Sequence, residues 1–110
     1  MNYADFVAAF KTATGLPIAY LSWHGNPPAS LPYCLFLQTD NNDKHADDGH
    51  GLKVAVVQLE FYSQLKDSGT QSKIESFFDA NDIAYEYQGD TYLDSEQMQM
   101  AVYQIQLIKE

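Results

Sequence analysis

Three stretches of alternating apolar and polar residues constrain the fold of this chain more than any other feature of its sequence. In the segment 52–63 the odd positions from 55 to 61 are apolar, and polar residues stand at 58 and 60 between them. The same alternation recurs over 83–88 and over 101–107. Because successive side chains of a β-strand point to opposite faces of a sheet, this pattern predicts strands with one buried and one polar face.

The remaining regular elements follow from helical spacing and from local capping signals. Apolar residues at helical spacing predict a helix over 3–14, with Asn2 as its cap and Gly15 just past its end. A second helix is expected to begin at Ser68, which has capping-box spacing with Gln71, and to stop near residue 81. Two further strands are predicted at 18–22 and 33–38.

The predicted architecture is an α+β fold, a two-layer α/β sandwich in one domain spanning 1–110. Its mainly antiparallel sheet of four to five strands carries two short helices on one face. A length of 110 residues suits one hydrophobic core. The connection 89–99 leaves two registers open, because 91–93 could extend the preceding strand. On the face away from the helices we expect amides and carboxylates, namely Gln58, Glu60, Glu86, Gln88, Gln104 and Gln106.

A long acidic loop is predicted between the second and third strands. The segment 39–51 carries no apolar side chain larger than that of Ala46. Loops of about a dozen residues inside a compact domain are usually functional or mobile, so this segment is the first place where we expect a functional surface.

The charge balance argues against nucleic-acid binding. The chain has 15 Asp plus Glu against six basic residues, all lysine, and a formal net charge of −9. Proteins that hold DNA or RNA neutralise phosphates with clustered Lys and Arg.

Cys34 is the single cysteine and lies in an apolar run, which predicts a buried thiol and fits a reducing compartment. A signal-peptide pattern and an apolar stretch of 18 residues are both missing, so no membrane association is expected.

The residues that usually carry chemistry form no convincing set. His45, Asp47, Asp48 and His50 stand close enough to hold a divalent ion, but their spacing matches no established site and a polar loop collects such residues by chance. His24 stands apart from them. No serine lies in a nucleophile elbow, and no glycine-rich phosphate loop is present. We therefore predict no catalytic residue, no metal and no cofactor, and a protein that is not an enzyme.

Taken in order, the segments of the chain resemble the small tail-completion proteins of long-tailed bacteriophages and prophages. The resemblance covers nearly the whole chain. It rests on the segments GLPIAYLSW, NPPASLPYCLFL, TDNNDKHADDG, VAVVQLEFYSQLKD, SKIESFFDANDIAYEY and TYLDSEQMQMAVYQIQL.

The resemblance implies a structural role as a tail terminator or tail-to-head joining protein. Such a protein caps the tail tube as a ring, commonly hexameric, and presents a docking surface to the head connector. Its partners would be the tail-tube protein, the head-connector protein and further copies of itself, and DNA would pass through without specific binding. It would be assembled in the host cytoplasm and located in the virion. The resemblance places an acidic channel or docking loop at Asp40, Asp43, Asp47 and Asp48, although the DGHG end of that loop departs from the family pattern.

Two alternatives stay open. A head-completion or neck component of the same particle would share these features and differ in the partner it meets. A small ligand-binding module would instead use Trp23, beside the proline-rich segment, with the neighbouring tyrosines Tyr20 and Tyr33.

Overall fold

The structure is a computed structural model that describes residues 1–28, 30–41 and 53–108. Within them it contains two helices and five strands. The helices are α1 (Tyr3–Thr14) and α2 (Ser68–Ala80). The strands are β1 (Ile18–Tyr20), β2 (Tyr33–Asn41), β3 (Val54–Ser63), β4 (Ala84–Leu93) and β5 (Met98–Ile108).

All five strands form one sheet in the order β1-β2-β3-β5-β4. The short strand β1 runs parallel to β2, and every other neighbouring pair is antiparallel. Side chains of α1 and α2 share one buried cluster with alternate residues of β2, β3 and β5, so both helices cover the same face of the sheet. The α+β sandwich with a mainly antiparallel sheet is confirmed.

Both helices begin and end close to where their capping signals predict. The Asn2 Oδ1 atom accepts a hydrogen bond from the Asp5 amide at 2.8 Å, and Gly15 closes α1 with φ of 73°. Helix α2 begins at Ser68 as predicted, but Ser68 is not its cap. Asp67 is the cap, because its carboxylate accepts from both the amide and the hydroxyl of Thr70.

Strand β2 is longer than predicted and takes in the beginning of the expected loop. Thr39–Asn41 belong to the strand, where Asp40 and Asn41 pair with Val56 and Ala55. The register shifts between Gln38 and Asp40, which makes Thr39 the extra residue of a bulge. A polar sequence forms a strand here because the neighbouring β3 supplies the partner backbone groups. Of the predicted loop, 42–51 lies outside the described residues.

For the connection 89–99, the structure shows that residues 91–93 do extend the preceding strand. Strand β4 continues through residues 91–93, and a turn over 94–97 leads into β5. Tyr87 pairs with Tyr103 and Gly89 pairs with Val102, so Gln88 is an extra residue on β4. Gly89 adopts a φ of 108°, a conformation that a side chain would strain, and this glycine lets the strand resume its pairing beyond the bulge.

The core between helices and sheet is rich in aromatic rings. The Phe6, Phe36 and Phe78 side chains are at most 1% exposed, and ring centroids within the cluster lie 5.1 to 6.1 Å apart. Polar groups of Tyr103 and Gln71 are buried beside these rings. The Tyr103 hydroxyl donates to Glu75 at 2.6 Å and accepts from the Gln71 amide at 3.0 Å. Burial and the hydrogen bond to Glu75 raise the pKa of the Tyr103 phenol above its ordinary value.

We expect the Tyr103 phenol to make the fold sensitive to alkaline pH. Because its folded pKa is raised, its contribution is complete below the unfolded value of about 10 and is lost as pH rises above that value. Replacing Tyr103 with phenylalanine should cost about 1–3 kcal/mol at neutral pH, since the buried Gln71 amide then lacks its acceptor. It should also reduce the fall in stability above about pH 10. Urea denaturation of both proteins from pH 7 to 11 measures the two effects, and an unchanged alkaline slope would contradict the assignment.

Candidate interaction surface

The face of the sheet away from the helices is not covered by any helix or strand in the part of the chain that the structure describes. Its side chains alternate with the buried core residues along each strand, and we call it the open face. The open face consists of Tyr33, Leu35 and Leu37 of β2, Val56, Gln58, Glu60 and Tyr62 of β3, Met100, Val102, Gln104 and Gln106 of β5, and Glu86 of β4.

One end of the open face is aromatic. Tyr33 and Tyr62 are direct cross-strand neighbours with ring centroids 5.3 Å apart. Trp23, from the segment that follows β1, packs edge-on against Tyr33 at 5.5 Å. The indole Nε1 of Trp23 is buried, and no described residue accepts its hydrogen bond. An unpaired buried donor is costly, so this position favours an acceptor supplied from elsewhere.

Glu60 lies at the centre of the open face and is held by its neighbours along β3. Its two carboxylate oxygens accept from the Gln58 amide at 2.7 Å and from the Tyr62 hydroxyl at 2.8 Å. Burial and this hydrogen bond raise the pKa of the Tyr62 phenol. Across the strands, Leu35 and Val102 flank Glu60. The carboxylate is therefore fixed in orientation between two aliphatic neighbours.

The opposite end of the open face is a shallow depression of about 410 Å³ with amide groups along its wall. Gln58 and Gln104 are direct cross-strand partners there. The depression is lined by Thr39, Asp40, Val56, Gln58, Gln88, Val102, Tyr103 and Gln104. Amides both donate and accept hydrogen bonds, so this end can pair with backbone or side-chain groups of either kind.

The apolar part of the open face was missed by the prediction of a face of amides and carboxylates. Leu35, Leu37 and Val102 are partly exposed, and Val56 is 7% exposed. The signal was present in the sequence, because 33–37 and 54–57 are apolar at consecutive positions and so supply both faces of their strands. Aromatic and aliphatic groups set among polar ones have the composition of a protein interface.

The predicted acidic residues are only in part within the described structure. Asp40 is exposed on β2, at the rim of the amide-lined depression. The prediction that Asp40 lies in a loop is therefore wrong. Asp43, Asp47 and Asp48 lie outside the described residues, as do His45 and His50. Their role as an acidic channel or docking loop stays a prediction.

No group of three or more potential metal ligands occurs among residues 1–28, 30–41 and 53–108. His24 is exposed in a turn with φ of 51°. Cys34 is buried as predicted, and burial raises the pKa of its thiol, which disfavours the reactive thiolate.

The aromatic residues named for a ligand pocket do not all meet. Trp23 contacts Tyr33 on the open face. Tyr20 lies on the helix side, stacked on Tyr3 at 5.5 Å and packed edge-on against Phe36 at 5.1 Å. The predicted group therefore divides between the two faces of the sheet, because the strand alternation separates them.

Comparison with protein-family models finds no family that matches this chain, and comparison with curated proteins finds no match either. Over the described residues, no helix is both long and apolar enough to cross a membrane.

Proposed function

We propose that this chain is a structural assembly protein of the tail-completion kind, which caps a phage tail tube and joins it to the head connector. The observation that supports this role best is the open face. Over the described residues, one side of the sheet is uncovered, with an aromatic end, an aliphatic centre and an amide-lined end. Large exposed faces of mixed character mark protein contacts more often than they mark bare surface.

The chemistry of the open face favours a protein partner over nucleic acid. Its charged groups are carboxylates, those of Glu60 and Glu86 with Asp40 at the rim, and the whole chain carries a formal charge of −9. DNA phosphates gain nothing from such a surface. Trp, Tyr and Met side chains, in contrast, supply the anchors that protein interfaces use. The open face then meets the tail-tube protein or a neighbouring copy, and DNA passes the assembly without specific binding.

A ring of copies, hexameric in the family that the chain resembles, adds a charge constraint. Every copy brings a negative formal charge, so assembly has to overcome repulsion between subunits. Moderate salt screens that repulsion and is expected to favour the ring. Asp43, Asp47 and Asp48 are proposed to border the DNA path, with Asp40 at the rim of the open face.

A ligand-binding module is the second candidate, and one observation favours it. The Trp23 Nε1 atom is buried, and no described residue accepts its hydrogen bond. A bound carbonyl or carboxylate would complete that hydrogen bond. A carbonyl or carboxylate of a partner protein could accept the same hydrogen bond from Trp23.

Deleting the gene from the phage or prophage that encodes it tests the proposed role. We expect DNA-filled heads beside tails that are abnormally long or unable to join, as seen by electron microscopy of lysates. Long tails would indicate a tail cap, and unjoined tails of normal length would indicate a neck component. Normal-length tails joined to heads in the deletion strain would exclude both assembly roles.

A further inference from the structure

Among the described residues, no strand pairs with the outer side of β4, which we call its free edge. It is the last strand of the sheet and pairs on one side only, with β5. Its ten residues are mostly exposed, including Tyr87 at 44% and Tyr92 at 52%. Backbone N–H and C=O groups on such an edge are available to a further strand.

The part of the chain that forms this edge is mainly acidic. Residues 74–108 contain seven acidic side chains and no lysine or arginine. Glu86 lies near the start of β4, and Asp94 and Glu96 lie in the turn that joins β4 to β5. An incoming strand that carried carboxylates would be repelled, and one that carried cations would be attracted.

The molecule contains its own example of a cation bound beside β4. The Lys66 ammonium lies 3.0 Å from the Asp90 carboxylate and 5.2 Å from the centroid of the Tyr87 ring. The Tyr87 hydroxyl in turn donates to Asp90. The three groups show how a tyrosine and a carboxylate on this strand together hold an ammonium group, by charge pairing and by contact with the ring face.

We propose that the free edge of β4 binds an extended segment of another protein that carries lysine or arginine at alternate positions. The segment adds as a further strand, with its backbone paired to β4 and its cations on the face of the sheet that carries Glu86. This inference does not rest on the tail role, since it follows from the edge and its charge. A second copy of the chain fits less well, because its own edge would bring the same acidic residues.

A pair of synthetic peptides tests the edge. The first is a ten-residue peptide of alternating lysine and valine with blocked ends, and the second has glutamate in place of lysine. We expect the lysine peptide to bind and to slow hydrogen exchange at backbone amides of 84–93. Its affinity should fall at least about tenfold between 50 mM and 500 mM salt, because the attraction is screened. The glutamate peptide should not bind.

Two controls separate strand addition from general attraction to an acidic protein. A lysine peptide with N-methyl groups on alternate residues cannot donate to β4 and is expected to lose binding. Replacing Glu86 and Glu96 with glutamine should weaken binding about tenfold, whereas replacing the exposed Asp5 and Asp40 with asparagine changes the charge equally and should alter it less than about twofold.

Three results would overturn the proposal. The first is binding of the lysine peptide without slowed exchange in 84–93, and the second is undiminished binding of the N-methylated peptide. The third is a free protein that is already dimeric with 84–93 protected, which would assign the edge to a second copy. Because none of these measurements involves phage components, the proposal can fail while the tail role stands, and the reverse also holds.

Discussion

Replacing Leu35 and Tyr62 together with serine is expected to abolish the association with a tail-tube protein that the proposed role requires. Both residues lie on the open face, Tyr62 at its aromatic end and Leu35 beside Glu60. Anchors at the centre of an interface often contribute 2 kcal/mol or more each, so losing both should weaken binding at least about a hundredfold. Light scattering of the mixed proteins measures the loss of association, and circular dichroism checks that the variant keeps its fold.

Leu65→Ser is the matched control for that variant. Leu65 is 72% exposed and lies beyond the end of β3, so its replacement removes an exposed leucine without touching the open face. Association within about twofold of the unchanged protein is expected for Leu65→Ser. A double variant that folds and still associates as tightly as this control would show that the open face is not the contact surface.

The elements that sequence patterns predicted well are those whose local signals agree with their tertiary surroundings. Helix α1 has a cap at Asn2 and a stop at Gly15, and both act as expected. Strand β3 alternates clearly and forms the centre of the sheet. In such cases propensity, pattern and packing all favour one structure, so a single sequence suffices to predict it.

The misplaced elements are those that depend on a distant partner. The polar residues Thr39–Asn41 carry no strand signal in the sequence. They extend β2 because their backbone pairs with residues 55 and 56 of β3. The cap of α2 falls at Asp67 instead of Ser68, because either side chain can accept from the first turn and the carboxylate reaches two donors on Thr70. The extent of β2 and the cap of α2 depend on three-dimensional contacts, which the spacing of residues in the sequence does not specify.

The sequence predicted the polar residues of the open face but not its apolar residues. Alternation correctly placed Gln58 and Gln104 on one face, where they are cross-strand partners. The aliphatic residues Leu35 and Val102 complete that face, and a consecutive apolar run cannot tell which of its members a helix will cover. The contact of Trp23 with Tyr33 depends on the path of an irregular segment, which sequence patterns describe least well.

Replacing Phe78 with alanine is expected to destabilise the fold by about 3–5 kcal/mol, the usual cost of removing a buried phenylalanine. Its ring is fully buried and contacts the rings of Phe77, Tyr85 and Tyr103, so the cavity would open where α2 meets β4 and β5. Since small domains are stable by only about 5–15 kcal/mol, this change consumes a large part of the total. Urea denaturation followed by circular dichroism measures it.

Tyr92→Ala provides the comparison, because Tyr92 is 52% exposed near the tip of the hairpin. That change should cost no more than about 0.5 kcal/mol. Similar losses for the two variants, or a loss below about 1 kcal/mol for Phe78→Ala, would contradict the placement of Phe78 in the centre of the core.

Light scattering of the unchanged protein, alone and with the tail-tube protein, tests most directly whether this chain is an assembly protein. A single chain has a mass of 12.4 kDa. We expect either a ring with a mass several times that value or a complex with tail-tube protein, favoured by moderate salt. A mass of one chain at every concentration and salt tested, unchanged when the tail-tube protein is added, would contradict the proposed role.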